Sequence, residues 1–327
     1  MNFHLNYTPA ESLLKISHKD KIMMMGSCFA EEIGAKLKVH KFDCLINPNG
    51  ILFNPQSIAT ALHAYMHPEK YVLQSGENNG LHFSFDHHGS FSFSSRQELE
   101  TAVKNSIKEA HQFLKTAKVL VITLGSAFVY RRTDTASIVA NCHRLPQDQF
   151  IKGLLNANDI SGILQHLLNE LRDFNSELNI IYTVSPVKYL RDGLEGNTLS
   201  KAMLIEAVHH AVNSTSNPQS TLENYFPAYE LVTDDLRDYR FYKADMAHPN
   251  EQAIDYVWEK FCGTYFTDET KLLNDKLKEI TNAASHRPLH AGTEAHKKFR
   301  AAYLQKCEQL EKDFSFLDLT NEKIKFQ

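Results

Sequence analysis

Two hydrophobic periods alternate along most of the chain. Residues 22–25 form a wholly apolar run that stops at Gly26, and beyond it Phe29, Ile33 and Leu37 recur four apart. A short apolar run that passes at once into helical spacing marks a buried strand turning into a helix. The same change recurs downstream. Residues 118–124 and 178–184 are apolar runs of strand length, and 42–46 is a shorter one that ends in the turn cluster Asn47-Pro48-Asn49-Gly50. Helical spacing occupies 55–67, 97–115, 159–174, 199–212 and 249–261, with Pro55 suited to a first turn and Asn158 or Asp159 to a cap. Residues 225–232 read as one more strand. Fully apolar strands alternating with helices predict an α/β fold, a parallel sheet covered on both faces.

Three stretches break this rhythm. In residues 81–94, Phe83, Phe85, Phe91 and Phe93 alternate with polar residues on either side of a His-His-Gly turn, which predicts an inserted β-hairpin. It reads either as a ribbon packing four Phe on the body or as a lid carrying His82, Asp86, His87 or His88 over a site. Residues 128–131 and 136–140 predict a second ribbon. After Thr267 the sequence becomes charged and helical, at 269–284 and 296–313. The expected organisation is an α/β domain over 1–266 and a helical C-terminal appendage over 267–327.

Composition narrows the function classes. The chain has 327 residues, 43% of them apolar, enough for a sizeable core. Lys and Arg total 35 against 39 acidic residues, a formal charge of -4, with no basic block to track phosphates, so nucleic acid is not an expected partner. The longest apolar runs fall far short of the ~20 residues a bilayer span needs. The first residues do not read as a secretory signal. Cys28, Cys44, Cys142, Cys262 and Cys307 are odd in number and scattered, which reads as reduced thiols in a cytoplasmic protein. No pair among Cys28, Cys142, His143 and His248 has zinc-ligand spacing, so neither metal nor cofactor is expected.

In an open parallel sheet, ligands bind beyond the carboxyl ends of the strands. After the first predicted strand come Gly26, Ser27 and Cys28; after the central one, Gly125 and Ser126; near the end of the α/β region, Asp245 and His248. A nucleophile on a tight turn at a helix N-terminus gains from free N–H groups and the helix dipole. Asp245 and His248, three residues apart, supply a base and the carboxylate that orients it. One of Cys142 and His143 is expected to face the site, with His143 preferred.

These residues also carry a family resemblance. Gly26-Ser27-Cys28-Phe29-Ala30 spells the motif that names the GSCFA family, which itself resembles the SGNH/GDSL hydrolase superfamily with its closing Asp-x-x-His, here Asp245-Met246-Ala247-His248. Asn141-Cys142-His143 and Tyr225-Phe226-Pro227-Ala228-Tyr229-Glu230 are similar to GSCFA sequence as well, and the resemblance covers about residues 22–261. It implies a flavodoxin-like three-layer α/β/α sandwich and ester or acyl chemistry on a small acyl ester or acylated sugar. Laid on Gly-Asp-Ser-Leu without gaps, the motif makes Cys28 the nucleophile; a shift of one makes it Ser27. Gly50 and Gly125 fall on the oxyanion glycines, but the superfamily's Asn position holds Ala127, leaving Asn49, Asn141, His143 or His87 to complete the site. The expected activity is an esterase or acyltransferase with a Cys/Ser-His-Asp triad; the alternative is a non-catalytic binding module on the same fold.

Overall fold

The core opens with β1 (Ile22–Gly26), α1 (Cys28–Val39) and β2 (Cys44–Ile46). After α2 (Pro55–Met66) comes a small antiparallel sheet of β3 (Ser75–Asn78), β4 (Leu81–Ser84) and β5 (Ser92–Phe93), and α3 (Arg96–Leu114) then leads into β6 (Val119–Leu124). A second antiparallel sheet, β7 (Phe128–Arg132), β8 (Ile138–Val139) and β9 (Phe150–Leu154), precedes α4 (Ala157–Phe174), β10 (Asn179–Val184) and α5 (Gly193–Asn213). β11 (Glu223–Phe226), the single turn α6 (Ala228–Glu230) and α7 (Glu251–Tyr265) complete the core. Three helices follow: α8 (Asp268–Ser285), α9 (Glu294–Asp313) and α10 (Thr320–Phe326). The computed structural model describes residues 7–213, 223–286, 288–290 and 292–327.

The main sheet is parallel throughout, in the order β2-β1-β6-β10-β11. Counted by succession within that sheet the order is 2-1-3-4-5, the flavodoxin-like arrangement. Successive side chains of a strand face opposite layers. Met23, Met25, Leu120, Ile122, Ile180 and Tyr182 pack under α2, α3, α4 and α5. Ile22, Met24, Val119, Val121 and Ile181 pack under α1 and α7. The three-layer α/β/α sandwich expected from the sequence is therefore present, and its switch point lies between the carboxyl ends of β1 and β6.

Several boundaries differ from expectation for identifiable reasons. The run 225–232 is not one strand: β11 ends at Phe226, and Pro227, which lacks an amide hydrogen, turns the chain into α6. The cap of α4 is Asn156, whose Oδ1 accepts the Asp159 amide at 2.9 Å, rather than Asn158 or Asp159 themselves. Both ribbons gain a third strand. β3 reaches β4 through Asn79-Gly80, both at positive φ (51° and 76°), the dipeptide a tight hairpin favours. None of the four phenylalanines is exposed: Phe83 and Phe85 pack with Val139, while Phe91 and Phe93 lie against the large core. That is the packed-ribbon arrangement.

The last three helices form their own apolar cluster around Leu273, Leu277, Cys307, Leu310 and Phe326. They meet the body at Lys41, paired with Glu322 at 2.8 Å, and at His18, whose ring stacks on Phe316 at 5.8 Å. His18 precedes β1 and Lys41 precedes β2, so this contact lies at the amino end of the sheet, opposite the switch point. Among the described residues no helix is long and apolar enough to cross a membrane.

Candidate active site

β1 delivers Gly26 to the switch point at φ +130°, where an added Cβ would lie 2.0 Å from the Thr123 carbonyl oxygen of β6. Only glycine fits so close a backbone approach. Its N–H donates to Asn47 Oδ1 (2.8 Å), which ties the turn after β2 to the end of β1. Ser27 follows as the N-cap of α1: it is fully buried, and its Oγ accepts the Phe29 amide at 3.3 Å. Cys28 is the first helical residue and partly exposed. Of the two candidate nucleophiles, then, one is engaged as a cap and the other is open.

The helix N-terminus does not leave Cys28 a ready thiolate. Burial pushes its thiol pKa up, Glu31 and Glu32 on the same helix push the same way, and Lys201 opposes them. Lys201 lies on the buried face of α5, 1% exposed, and its Nζ donates to the carbonyls of Gly125 (2.6 Å) and Ser185 (2.7 Å). Burial brings its pKa down to about 7, with Cys28 pulling it back up. Tyr189 is half-buried with its hydroxyl oxygen enclosed, and that hydroxyl abuts Gly125 and faces Ser27 without completing a hydrogen bond of normal geometry. Burial holds that phenol well above its ordinary pKa.

Asp245 and His248 form a tight pair on the loop before α7. His248 Nδ1 lies 2.7 Å from Asp245 Oδ2, while Asp245 Oδ1 accepts the amides of Ala247 (2.9 Å) and His248 (3.0 Å). The His248 and Ala247 amides, then the imidazole, hold the Asp245 carboxyl far below the usual carboxylate range. With Nδ1 donating to the carboxylate, Nε2 carries the lone pair of a neutral ring. The side chains are 42% and 49% exposed. The loop is fastened to α1, since Lys243 Nζ pairs with Glu32 at 2.9 Å, the contact that most raises the lysine's pKa. Lys188 braces it from the other side, donating its amide to the Ala247 carbonyl at 3.1 Å.

The remaining expected residues have other engagements. The Gly50 amide donates to Asn47 O (2.7 Å), and the Gly125 and Ser126 amides share Phe53 O (2.8 and 2.9 Å). Ser126 Oγ accepts the Phe128 amide and Ser200 Oγ the Ala127 amide, at 3.1 and 2.8 Å. Asn49 is buried, accepting from the Tyr65 hydroxyl at 2.8 Å. His143 sits in a turn at φ +47°, with Nε2 2.7 Å from Ser84 O, its ring stacked on Phe83, and its amide held by Asn141 Oδ1. His87 is fully buried, its Nδ1 2.7 Å from Ser84 Oγ; burial, then His143, pushes its pKa down to about 3. The structure thus gathers Gly26, Ser27, Cys28, Gly125 and Ser126 at the switch point, with the Asp245–His248 loop pinned to α1. Asn49, Gly50, His87, Asn141 and His143 form a neighbouring group that supports the ribbons, joined to the first through the turn of residues 47–50.

Lys201 and Tyr189 were not anticipated. A signal for Lys201 exists: Asn197, Lys201, Leu204, Val208 and Ala211 follow helical spacing, which places a lysine in line with an apolar stripe.

A model of the GSCFA family matches residues 21–261, and one described as the GSCFA domain protein, C-terminal domain, matches residues 277–327. No curated protein matches the chain. Among solved structures it is similar to a carbohydrate esterase family 3 from Talaromyces cellulolyticus, with TM-score 0.36 and 10% identity over 78% of this chain and 99% of that one. It is also similar to the acetyl xylan esterase Est2A from the rumen bacterium Butyrivibrio proteoclasticus, with TM-score 0.40 and 11% identity over 81% and 66%. Likeness at that distance says nothing about chemistry.

Proposed function

The chain belongs to the GSCFA family, and we propose that it is an acyl-transfer enzyme, an esterase or acyltransferase acting on small acyl esters such as O-acylated sugars. The observation that carries the reading is the Asp245–His248 pair on a loop clamped to the first turns of the helix that Cys28 begins. Cys28 Sγ attacks the acyl carbonyl. His248 Nε2 removes the thiol proton and later returns it to the leaving alcohol, while Asp245 fixes the ring's tautomer and steadies the imidazolium. A thiol held protonated at rest needs such a base, which fits the upward push that burial and Glu31 exert on Cys28. Water, or an acceptor alcohol, then cleaves the thioester.

The test is turnover of a chromogenic short-chain ester by the wild type, Cys28→Ala, His248→Ala and Ser27→Ala. Cys28→Ala and His248→Ala should each lose at least about 10³-fold in kcat/KM, as removal of one member of a catalytic unit does. Ser27→Ala should keep turnover and lose about 1 kcal/mol of stability with its cap. Full activity in Cys28→Ala would sink the assignment.

A second reading, a non-catalytic binding module, is favoured by the engaged Gly50 and Gly125 amides, which leave no expected oxyanion donor free among them. Iodoacetamide labelling at neutral pH separates the two. Preferential modification of Cys28 over the other four thiols fits the enzyme, and indifference fits the binder.

A further inference from the structure

Away from the switch point, α2 and α4 pack side by side and bring a second group of functional side chains together. His63 lies in the last turn of α2 and His67 caps the same helix one turn on, their ring centroids 5.0 Å apart. Residues four apart share one helix face. Glu170 of α4 faces them, Oε1 3.1 Å from His63 Nδ1, and one turn earlier His166 approaches the other Glu170 oxygen at 3.8 Å. Glu69 stands 3.8 Å from His67 Nδ1. One ligating atom from each of His63, His67 and Glu170 falls within 4.8 Å of the other two.

We propose that His63, His67 and Glu170 form a binding site for a divalent transition-metal ion of the zinc class. The donor set decides the class: two imidazoles with one carboxylate suit Zn²⁺, Co²⁺ or Ni²⁺, whereas Mg²⁺ and Ca²⁺ prefer all-oxygen surroundings. A tetrahedral zinc with bonds of 2.0–2.1 Å holds its ligand atoms about 3.4 Å apart. The three side chains must therefore close by at most about 1.4 Å from the 4.8 Å span, a movement open to chains that are 49%, 33% and 23% exposed. Their backbones need not move. Ile58, Ala61, Leu62 and Tyr65 fix α2 in the core, and Leu164, Leu167 and Leu171 fix α4. Three protein ligands leave a fourth position for water or for His166. Glu69, 3.8 Å from His67 Nδ1 and not hydrogen-bonded to it here, stands close enough to become the carboxylate that commonly orients a ligating ring once the site closes.

The site is tested on the full chain after stripping with chelator and gel filtration, by titration calorimetry with ZnCl₂ and by thermal unfolding with and without it. The wild type should bind zinc and unfold at a higher temperature in its presence. Loss of even an outer partner of a metal typically costs 10–100-fold in affinity, so His67→Ala and Glu170→Gln should each weaken binding by more than about 10-fold. His63→Ala/His67→Ala should lose the thermal shift. Undiminished affinity in that double variant would place the ion elsewhere on the chain, and a wild type that binds none would dispose of the site; either result overturns the proposal.

Discussion

Lys201 shows how a single residue records the chemistry of its surroundings. A buried lysine with a depressed pKa stabilises the fold least when charged. Between its folded value of about 7 and the ordinary 10.5, the unfolded chain binds the extra proton, so this residue makes stability rise with pH across that window. The slope reaches about 1.4 kcal/mol per pH unit at most. Lys201→Met abolishes the slope and strands two carbonyls, so its deficit relative to wild type should widen as the pH is raised from about 7 to about 9. Urea midpoints at the two pH values check this, and parallel profiles would contradict it. The position of Lys201 in an apolar stripe is visible in the sequence. Its partners, the Gly125 and Ser185 carbonyls at the ends of two different strands, are not, because they become neighbours only when β6 and β10 pair.

At the scale of elements, the decisive device is the loop between the turn at Tyr242 and the Asn250 cap of α7. Asp245 and His248 find each other through local spacing, which is why Asp-x-x-His is readable as a pair. What ties the pair to α1 is the Lys243–Glu32 contact. An exposed ion pair of this kind contributes no more than about 1 kcal/mol to stability. Lys243→Ala should accordingly leave the unfolding temperature nearly unchanged while, on the proposed mechanism, lowering kcat by about 10-fold, since misplacing a base costs far more than losing a surface contact. An equal loss of stability and turnover would argue that the contact merely holds the fold. The capping residues tell the same story on a smaller scale: Asn54, Ser95, Asn156 and Asn250 each accept an amide three residues on, so local chemistry alone starts these helices.

Across the whole molecule, the site and the helical tail lie at opposite ends of the sheet. Leu277, 1% exposed, sits in the separate cluster of α8, α9 and α10. Truncating it should cost about 2–5 kcal/mol. Leu277→Ala should therefore unfold at a markedly lower temperature and yet retain wild-type kcat/KM for an ester at 25 °C; a parallel fall in turnover would mean that the tail supports the site.

The sequence by itself determined the apolar strands β1, β2, β6 and β10, their parallel pairing through intervening helices and the paired spacing of Asp245 and His248. Periodicity and short-range hydrogen bonding are properties of neighbours along the chain. Only the tertiary structure decided which amides are spent on nearby carbonyls, that a lysine and a tyrosine hydroxyl lie buried beside the Gly26–Cys28 turn, and that imidazoles of α2 meet a carboxylate of α4. Those outcomes depend on the register and depth at which distant segments pack, and no local pattern encodes either one.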